Sequence, residues 1–228
     1  MATETHPYWQ ELYADFQQNA DAEKAAWGKA YLRNQFEIFG LTGPVRSGLI
    51  RDFVRKHDLP PLSQTAEIIW NAWELPEREM QYAAMEVLFR QRKKLSAESI
   101  GLYEWMITHK SWWDTVDYIS PNLVGNLFMA FPDLRDKTVE NWMKSGNFWL
   151  QRSCLLFQLK YKTKTDFELL FNLCTQLASE KEFFIRKAIG WSLREYAKTN
   201  PEAVRSFVDR TELSGLSKRE ALKHFSTE

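Results

Sequence analysis

The chain has 228 residues, 44% of them hydrophobic and 26% charged, which is the composition of a folded globular protein and excludes a disordered chain. Thirty basic and thirty acidic residues balance, so the net charge of zero identifies no partner. No apolar run is long enough to span a membrane and the N-terminus lacks the apolar core of a signal peptide, so we expect a cytoplasmic protein.

Nearly every segment of the chain predicts α-helix. Only nine glycines and eight prolines interrupt it, which favours long helices and short connections. No alternating polar and apolar run and no Asn-Gly or Asp-Gly hairpin turn predicts a β-strand. In chain order, helices are expected at about 7–18, 21–36, 44–56, 63–73, 76–94, 97–108, 121–131, 134–144, 148–161 and 182–199.

Local capping signals mark further helix starts. Asn147 and Asn200 each stand where an N-cap is expected, and proline follows Asn200 at the first helical position. Thr165 and Ser217 each have glutamate three residues later and so match the capping box, in which each end satisfies a free backbone N–H of the other. We therefore predict helices that start near 165, 200 and 217.

These helices predict an all-α fold. Helix pairs of about 40 residues match the period of HEAT-like repeats, which stack antiparallel pairs into a curved solenoid with one concave face. A compact helical bundle is the competing architecture, because self-similarity between the pairs is weak. No linker or low-complexity segment divides the chain, so we expect a single domain over residues 1–228.

Cysteine and histidine usage predicts neither a metal site nor a bound cofactor. Cys154 and Cys174 lie in apolar helical runs and are expected to be buried free thiols, which fits a reducing compartment. The four histidines are scattered, with no cysteine or acid at ligand spacing. No glycine loop of the kind that cradles phosphates and no nucleotide fingerprint is present.

The stretch from Trp112 to Asp117 crowds two indoles and two carboxylates into six residues. Trp113 and Asp117 are four residues apart and therefore share one face of a helix. A carboxylate beside an aromatic face suits a group that is, or becomes, positively charged. Trp112 has a simpler interpretation as a core side chain, and Asp114 as a helix cap.

One late helix carries a stripe of Lys187, Trp191, Arg194 and Lys198, while its other positions, Phe184 among them, are expected to be buried. The stripe predicts a track for a phosphate backbone. The alternative is a solvated charged face beside a tryptophan at the edge of the core.

Arg152 lies in the middle of the apolar helix 148–161. An arginine so surrounded either pairs with a buried acid or points into a lined groove. Asp117 would serve either arrangement.

These residues carry a resemblance to a known family. The sequence resembles the AlkD-type DNA alkylation repair glycosylases, which are built of HEAT-like repeats, and the resemblance runs through nearly the whole chain. It is strongest in LPERE at 75–79, KSWWDTVD at 110–117, WLQR at 149–152, KEFFIRKAIGW at 181–191 and LREYAKTNP at 193–201.

The resemblance implies roles for individual residues. Asp117 matches the family's catalytic acid, Trp113 and Trp191 match the two indoles that pack against the sugar of the damaged nucleotide, and Arg152 matches the arginine beside them. The implied activity is release of N3- or N7-alkylated purines from duplex DNA without flipping the lesion into a pocket. The implied protein is a monomer, located in the cytoplasm at the nucleoid, that needs no metal or cofactor.

The resemblance also implies where DNA is held. Phosphate contacts are expected from four basic side chains, Arg152, Lys187, Arg194 and Lys198. Further contacts are expected at Thr42, Gly43 and Arg46, near the start of the helix at 44–56. Here the sequence departs from its relatives, which carry polar residues ahead of the proline and a basic residue where this chain has Ser47.

Two other functions fit the sequence. A non-catalytic HEAT-like protein that binds distorted or branched DNA would use the basic stripe but would not need Asp117. A protein-interaction scaffold, the commonest use of helical arrays, would show no salt-dependent affinity for DNA and would leave the stripe unexplained.

Overall fold

The computed structural model describes residues 4–94 and 96–223. Within those residues the regular secondary structure is helical, apart from one isolated bridge between Glu37 and Glu77, so the prediction of an all-α fold is confirmed. The chain divides into two compact units, Met1–Glu98 and Ser99–Glu228. No helix among the described residues is long and apolar enough to cross a membrane. The expected single domain and HEAT-like solenoid stay predictions.

The first unit is built around aromatic side chains. Trp9 is fully buried, stacks on Phe53 with 5.9 Å between ring centroids, and donates its indole N–H to the carbonyl of Ile68 at 2.7 Å. That bond satisfies the one polar group of a large core side chain. The helices of this unit are α1 (Gln10–Gln18), α2 (Ala22–Tyr31), α3 (Gly43–His57), α4 (Leu62–Glu74) and α5 (Arg78–Gln91).

The second unit contains the remaining described helices. They are α6 (Ser99–Thr108), α7 (Trp113–Ile119), α8 (Gly125–Ala130), α9 (Pro132–Lys144), α10 (Phe148–Leu156), α11 (Phe167–Gln176), α12 (Phe183–Ala197), α13 (Pro201–Arg210) and α14 (Gly215–Ala221). A π-helical turn, Ser120–Val124, joins α7 to α8. Its core combines aliphatic side chains with Trp142 and Phe157.

Two of the four predicted N-cap residues are confirmed. Asn147 accepts from the N–H groups of residues 149 and 150, and Asn200 accepts from that of residue 203, as predicted. The two capping boxes are wrong. Asp166 rather than Thr165 caps α11, in keeping with the stronger preference for Asp at this position, and Ser214 rather than Ser217 caps α14.

No new helix begins at Pro121, contrary to the prediction for 121–131. Pro121 lies inside a helical run that continues from α7 through the π-helical turn into α8. Proline cannot donate the backbone hydrogen bond that a regular α-helix requires at this point. In the turn, the N–H of Gly125 reaches back five residues to the carbonyl of Ser120, which accommodates one extra residue.

This helical run is fixed against α10 at two points. The hydroxyl of Ser120 donates to that of Ser153 at 3.0 Å. At Gly125 the approach is closer, because an added Cβ would lie 2.3 Å from the carbonyl oxygen of Phe157. The two contacts hold α7 and α10 side by side, and these helices carry Asp117 and Arg152.

We expect Gly125→Ala to destabilise the protein by about 1–3 kcal/mol, the usual cost of overpacking, because the clash is with rigid backbone. Gly101→Ala is the matched control, since Gly101 lies in α6 with no atom within 4 Å of its added Cβ. That change should be neutral or stabilise by roughly 0.5–1 kcal/mol. Urea unfolding of both variants measures the difference, and equal midpoints would refute the packing argument.

Candidate functional site

A groove of about 250 Å³ in the second unit gathers most of the predicted site residues. Its lining residues are Trp113, Asp117, Arg152, Phe183, Phe184, Lys187, Trp191, Arg194 and Glu220. Trp113 and Asp117 come from α7, and Arg152 comes from α10. Glu220 comes from α14, and the remaining lining residues come from α12. The spacing of four residues on α7 turns its indole and carboxylate to the same side, as predicted.

Asp117 and Arg152 form a bidentate ion pair. The guanidinium Nε and Nη2 donate to the two carboxylate oxygens, each at 2.8 Å, and Nη1 donates to the carbonyl of Phe184. The side chains are 17% and 5% exposed, so the pair is largely withdrawn from water. Of the two arrangements considered for Arg152, pairing with a buried acid is observed, and the pair itself lies in the wall of the groove.

Two opposing effects set the protonation of Asp117. Burial raises the pKa of its carboxyl above the ordinary value, while the hydrogen bonds and charge of Arg152 lower it. The bidentate geometry needs an acceptor at both oxygens, which the ionised carboxylate provides in full. The site therefore holds an anion in a largely dry environment, where its field is screened less than in water.

Aromatic side chains form the rest of the wall. Phe183 and Phe184 line the groove together with Trp113 and Trp191. Phe183 is 49% exposed, and Phe184 is only partly buried, so the expectation that Phe184 belongs wholly to the core is wrong. Trp112 packs behind this wall, with its ring centroid 5.5 Å from that of Phe184.

The basic side chains of α12 are tied to an acid that the sequence did not suggest. Glu220 of α14 accepts from Lys187 at 3.0 Å, from Arg194 at 2.8 Å and from Lys223 at 2.8 Å. Its side chain is 7% exposed. Burial raises the pKa of Glu220, but hydrogen bonds from the three cations outweigh that effect and lower it to about 2.

Lys198 does not join this group. It lines a separate cavity of about 400 Å³ and pairs with Glu195 at 2.6 Å. Lys198 lies seven residues, about two helical turns, beyond Trp191. The stripe that looked continuous in sequence therefore extends from the groove to a second cavity.

Thr42, Gly43 and Arg46 lie at the start of α3 in the first unit. Thr42 is the N-cap residue without a side-chain capping bond, and the guanidinium of Arg46 lies 4.4 Å from the ring centroid of Tyr82. The loop before α3 is held by the buried carboxylate of Glu79, which accepts the N–H groups of residues 39, 40 and 41. A contact of these residues with DNA stays a prediction.

The groove offers one kind of chemistry above others. A fixed carboxylate in a groove lined by aromatic side chains can attract a cation and stabilise positive charge that develops on a bound molecule. No group of three or more His, Cys, Asp or Glu side chains able to hold a metal ion occurs within residues 4–94 and 96–223.

Comparison with known proteins decides the family. The sequence model of the DNA alkylation repair enzyme family matches residues 12–225. The chain belongs to the DNA alkylation repair enzyme family. A solved structure of a predicted DNA alkylation repair enzyme from Enterococcus faecalis is similar over 92% of this chain and 98% of that one, with a TM-score of 0.85 and 31% sequence identity. A search of curated proteins found no significant match.

Family membership confirms the resemblance found in the sequence, and it makes DNA the expected substrate class. Three members of the groove were not among the predicted site residues: Phe183, Phe184 and Glu220. Both phenylalanines stood within the matching segment 181–191, and Phe184 was expected to be buried. Local sequence does not connect Glu220 to the groove, because its partners Arg194 and Lys187 lie 26 and 33 residues earlier.

We expect Arg152→Met to cost about 3–5 kcal/mol of stability at pH 7, because it leaves the carboxylate of Asp117 buried without its cation. The loss should shrink as the pH falls toward the ordinary aspartate pKa of about 4. The pKa of Asp117 then rises further in the folded protein, and protonation removes the unpaired charge.

Urea unfolding between pH 7 and pH 4 measures this effect. Arg55→Met is the matched control, since Arg55 pairs with Asp52 on an exposed surface and should contribute no more than about 1 kcal/mol. A loss that is independent of pH would mean that Arg152 acts through packing alone.

Proposed function

We propose that the protein is a DNA glycosylase that hydrolyses the N-glycosidic bond of cationic N3- or N7-alkylated purines in duplex DNA. The observation that supports this most is the carboxylate of Asp117, fixed by Arg152 in a groove that also contains the indoles of Trp113 and Trp191. Membership in the DNA alkylation repair enzyme family supports the substrate class. The protein acts as a monomer in the cytoplasm and needs no metal or cofactor.

The chemistry of the lesion explains why so few groups suffice. Alkylation at N3 or N7 gives the purine a positive charge, so the bond from C1′ to the base nitrogen breaks without an acid. The bonding electrons pass to the base and neutralise it, while the sugar becomes oxocarbenium-like. Water then adds to C1′ and releases a proton. The enzyme's task is to stabilise the sugar cation, which it binds more tightly than the intact nucleotide.

Four of the groove residues have a role in stabilising the sugar cation. The Asp117 carboxylate stabilises the charge that develops at C1′ and orients the attacking water. The faces of Trp113 and Trp191 add cation–π attraction and exclude solvent, which strengthens the carboxylate's field. Arg152 holds the carboxylate in place, and of its five N–H donors the observed bonds use three, leaving two for a phosphate.

The proposed reaction proceeds without base flipping, as the resemblance of the sequence to its family implies. The groove has a volume of about 250 Å³. A sugar with its flanking phosphates can rest in such a groove while the base stays in the duplex. Lys187 and Arg194 then lie near the backbone on one side.

We expect Asp117→Asn to slow release of N7-methylguanine from a duplex by about 10²–10³-fold, which corresponds to about 2.7–4 kcal/mol of lost electrostatic stabilisation. Asp133→Asn is the control, because Asp133 is exposed on α9 and lies outside the groove, and release should be unchanged. A duplex with uracil, a neutral base, should release nothing. Unchanged release by Asp117→Asn would remove Asp117 from this role.

The reaction should also slow in acid. Only the ionised carboxylate stabilises the sugar cation, so single-turnover release should fall as the pH is lowered through the raised pKa of Asp117. The midpoint is expected above the ordinary aspartate value of about 4. After subtraction of spontaneous base loss, the decline should be absent from Asp117→Asn; a decline that persists in that variant belongs to another group.

One observation favours a second function, the binding of distorted or branched DNA without hydrolysis. Both oxygens of Asp117 already accept hydrogen bonds from Arg152, as they would if the pair were purely structural. Salt-dependent binding of branched DNA together with no release of N7-methylguanine would establish this alternative.

A further inference from the structure

Glu220 is a buried carboxylate that pairs with three cations, two from α12 and one that follows α14. Lys187 and Arg194 reach it from α12, and Lys223 follows α14. Three positive charges meet one negative charge, so the cluster keeps a net positive charge while its acid is shielded from a polyanion. Glu220 also lines the groove that contains Asp117, so its position bears directly on how DNA is held.

Close packing fixes where this carboxylate lies. At Gly190 an added Cβ would lie 2.4 Å from the Cβ of Glu220 and 2.8 Å from the carbonyl oxygen of Ser217, so only glycine permits the contact between α12 and α14. The hydroxyl of Ser217 donates to the carbonyl of Arg186 at 2.9 Å and holds α14 from a second point.

The geometry of α12 explains the choice of partners. Lys187 precedes Gly190 by three residues and Arg194 follows it by four, so both lie on the face that α14 covers. Glu220 therefore reaches one cation on either side of Gly190. Arg194 uses only Nη1 toward Glu220, and Lys187 uses one of three ammonium donors, so both cations keep donors for another anion.

We propose that Glu220 is a positioning residue that holds Lys187 and Arg194 beside Trp191, directed toward the phosphates that flank the lesion. This inference rests on the proposed function. Free lysine and arginine side chains lose much rotational freedom when they bind a phosphate, and a carboxylate that already restrains them reduces that loss.

Replacing Glu220 with glutamine separates positioning from simple charge. If Glu220 merely neutralises the groove, Glu220→Gln removes a negative charge and should tighten DNA binding. If it positions the two cations, the same change should weaken binding of a 20-base-pair duplex with one tetrahydrofuran abasic site, by roughly tenfold, because two side chains lose their restraint. Fluorescence anisotropy at fixed salt measures the affinity, and base release should show a higher KM with a similar kcat.

Three further variants complete the test. Glu220→Asp keeps the charge and should bind between wild type and Glu220→Gln, which also serves if the glutamine variant fails to fold. Glu140→Gln, which removes an exposed carboxylate outside the groove, is the matched control and should bind like wild type. Glu220→Gln added to Lys187→Met and Arg194→Met should have no further effect, because the two side chains through which Glu220 acts are already gone.

The outcomes are distinct. Tighter or unchanged binding by Glu220→Gln, or a full additional loss in the triple variant, overturns the positioning role. Failure of the wild type to release N7-methylguanine would refute the proposed glycosylase activity. The role of Glu220 is tested separately, because the binding measurement needs no catalysis.

Discussion

The ion pair between Asp117 and Arg152 is the interaction on which the groove depends. A carboxylate withdrawn from water is costly, and it stays ionised only because a guanidinium contacts both of its oxygens. The partners are 35 residues apart in sequence, so the pair exists only while α7 and α10 stay side by side. The Ser120–Ser153 hydrogen bond and the close contact at Gly125 therefore help to maintain the ion pair, although neither lines the groove.

The groove combines two electrostatic arrangements that serve different purposes. At one side, a single acid is matched by a single arginine between aromatic faces, and its field is available to a cation. At the other side, three basic side chains pair with Glu220, so the net charge there is positive. Under the proposed function a nucleotide has both requirements, since its sugar would become positive during bond cleavage while its phosphates remain negative. All of these residues belong to the second unit.

Sequence reasoning succeeded for most local features and failed where contacts are distant. The caps at Asn147 and Asn200 and the shared face of Trp113 and Asp117 follow from spacings of a few residues and are observed. The helix start at Pro121 and the capping boxes at Thr165 and Ser217 are wrong. Lys198 lines a different cavity from Trp191, which helical periodicity alone does not show, and its contact with DNA stays a prediction. Glu220 was misread as part of a capping box, since two of its three partners, Lys187 and Arg194, are supplied by another helix.

The π-helical turn after α7 has a geometric consequence for the whole helical run. Phe128 lies eleven residues after Asp117, about three turns, so an uninterrupted α-helix would point both side chains the same way. The extra residue in the turn rotates α8 by about 100°. Phe128 instead packs edge-on against Phe157, with 5.2 Å between ring centroids. The same helical run thus places Asp117 in the wall of the groove and Phe128 in the hydrophobic core.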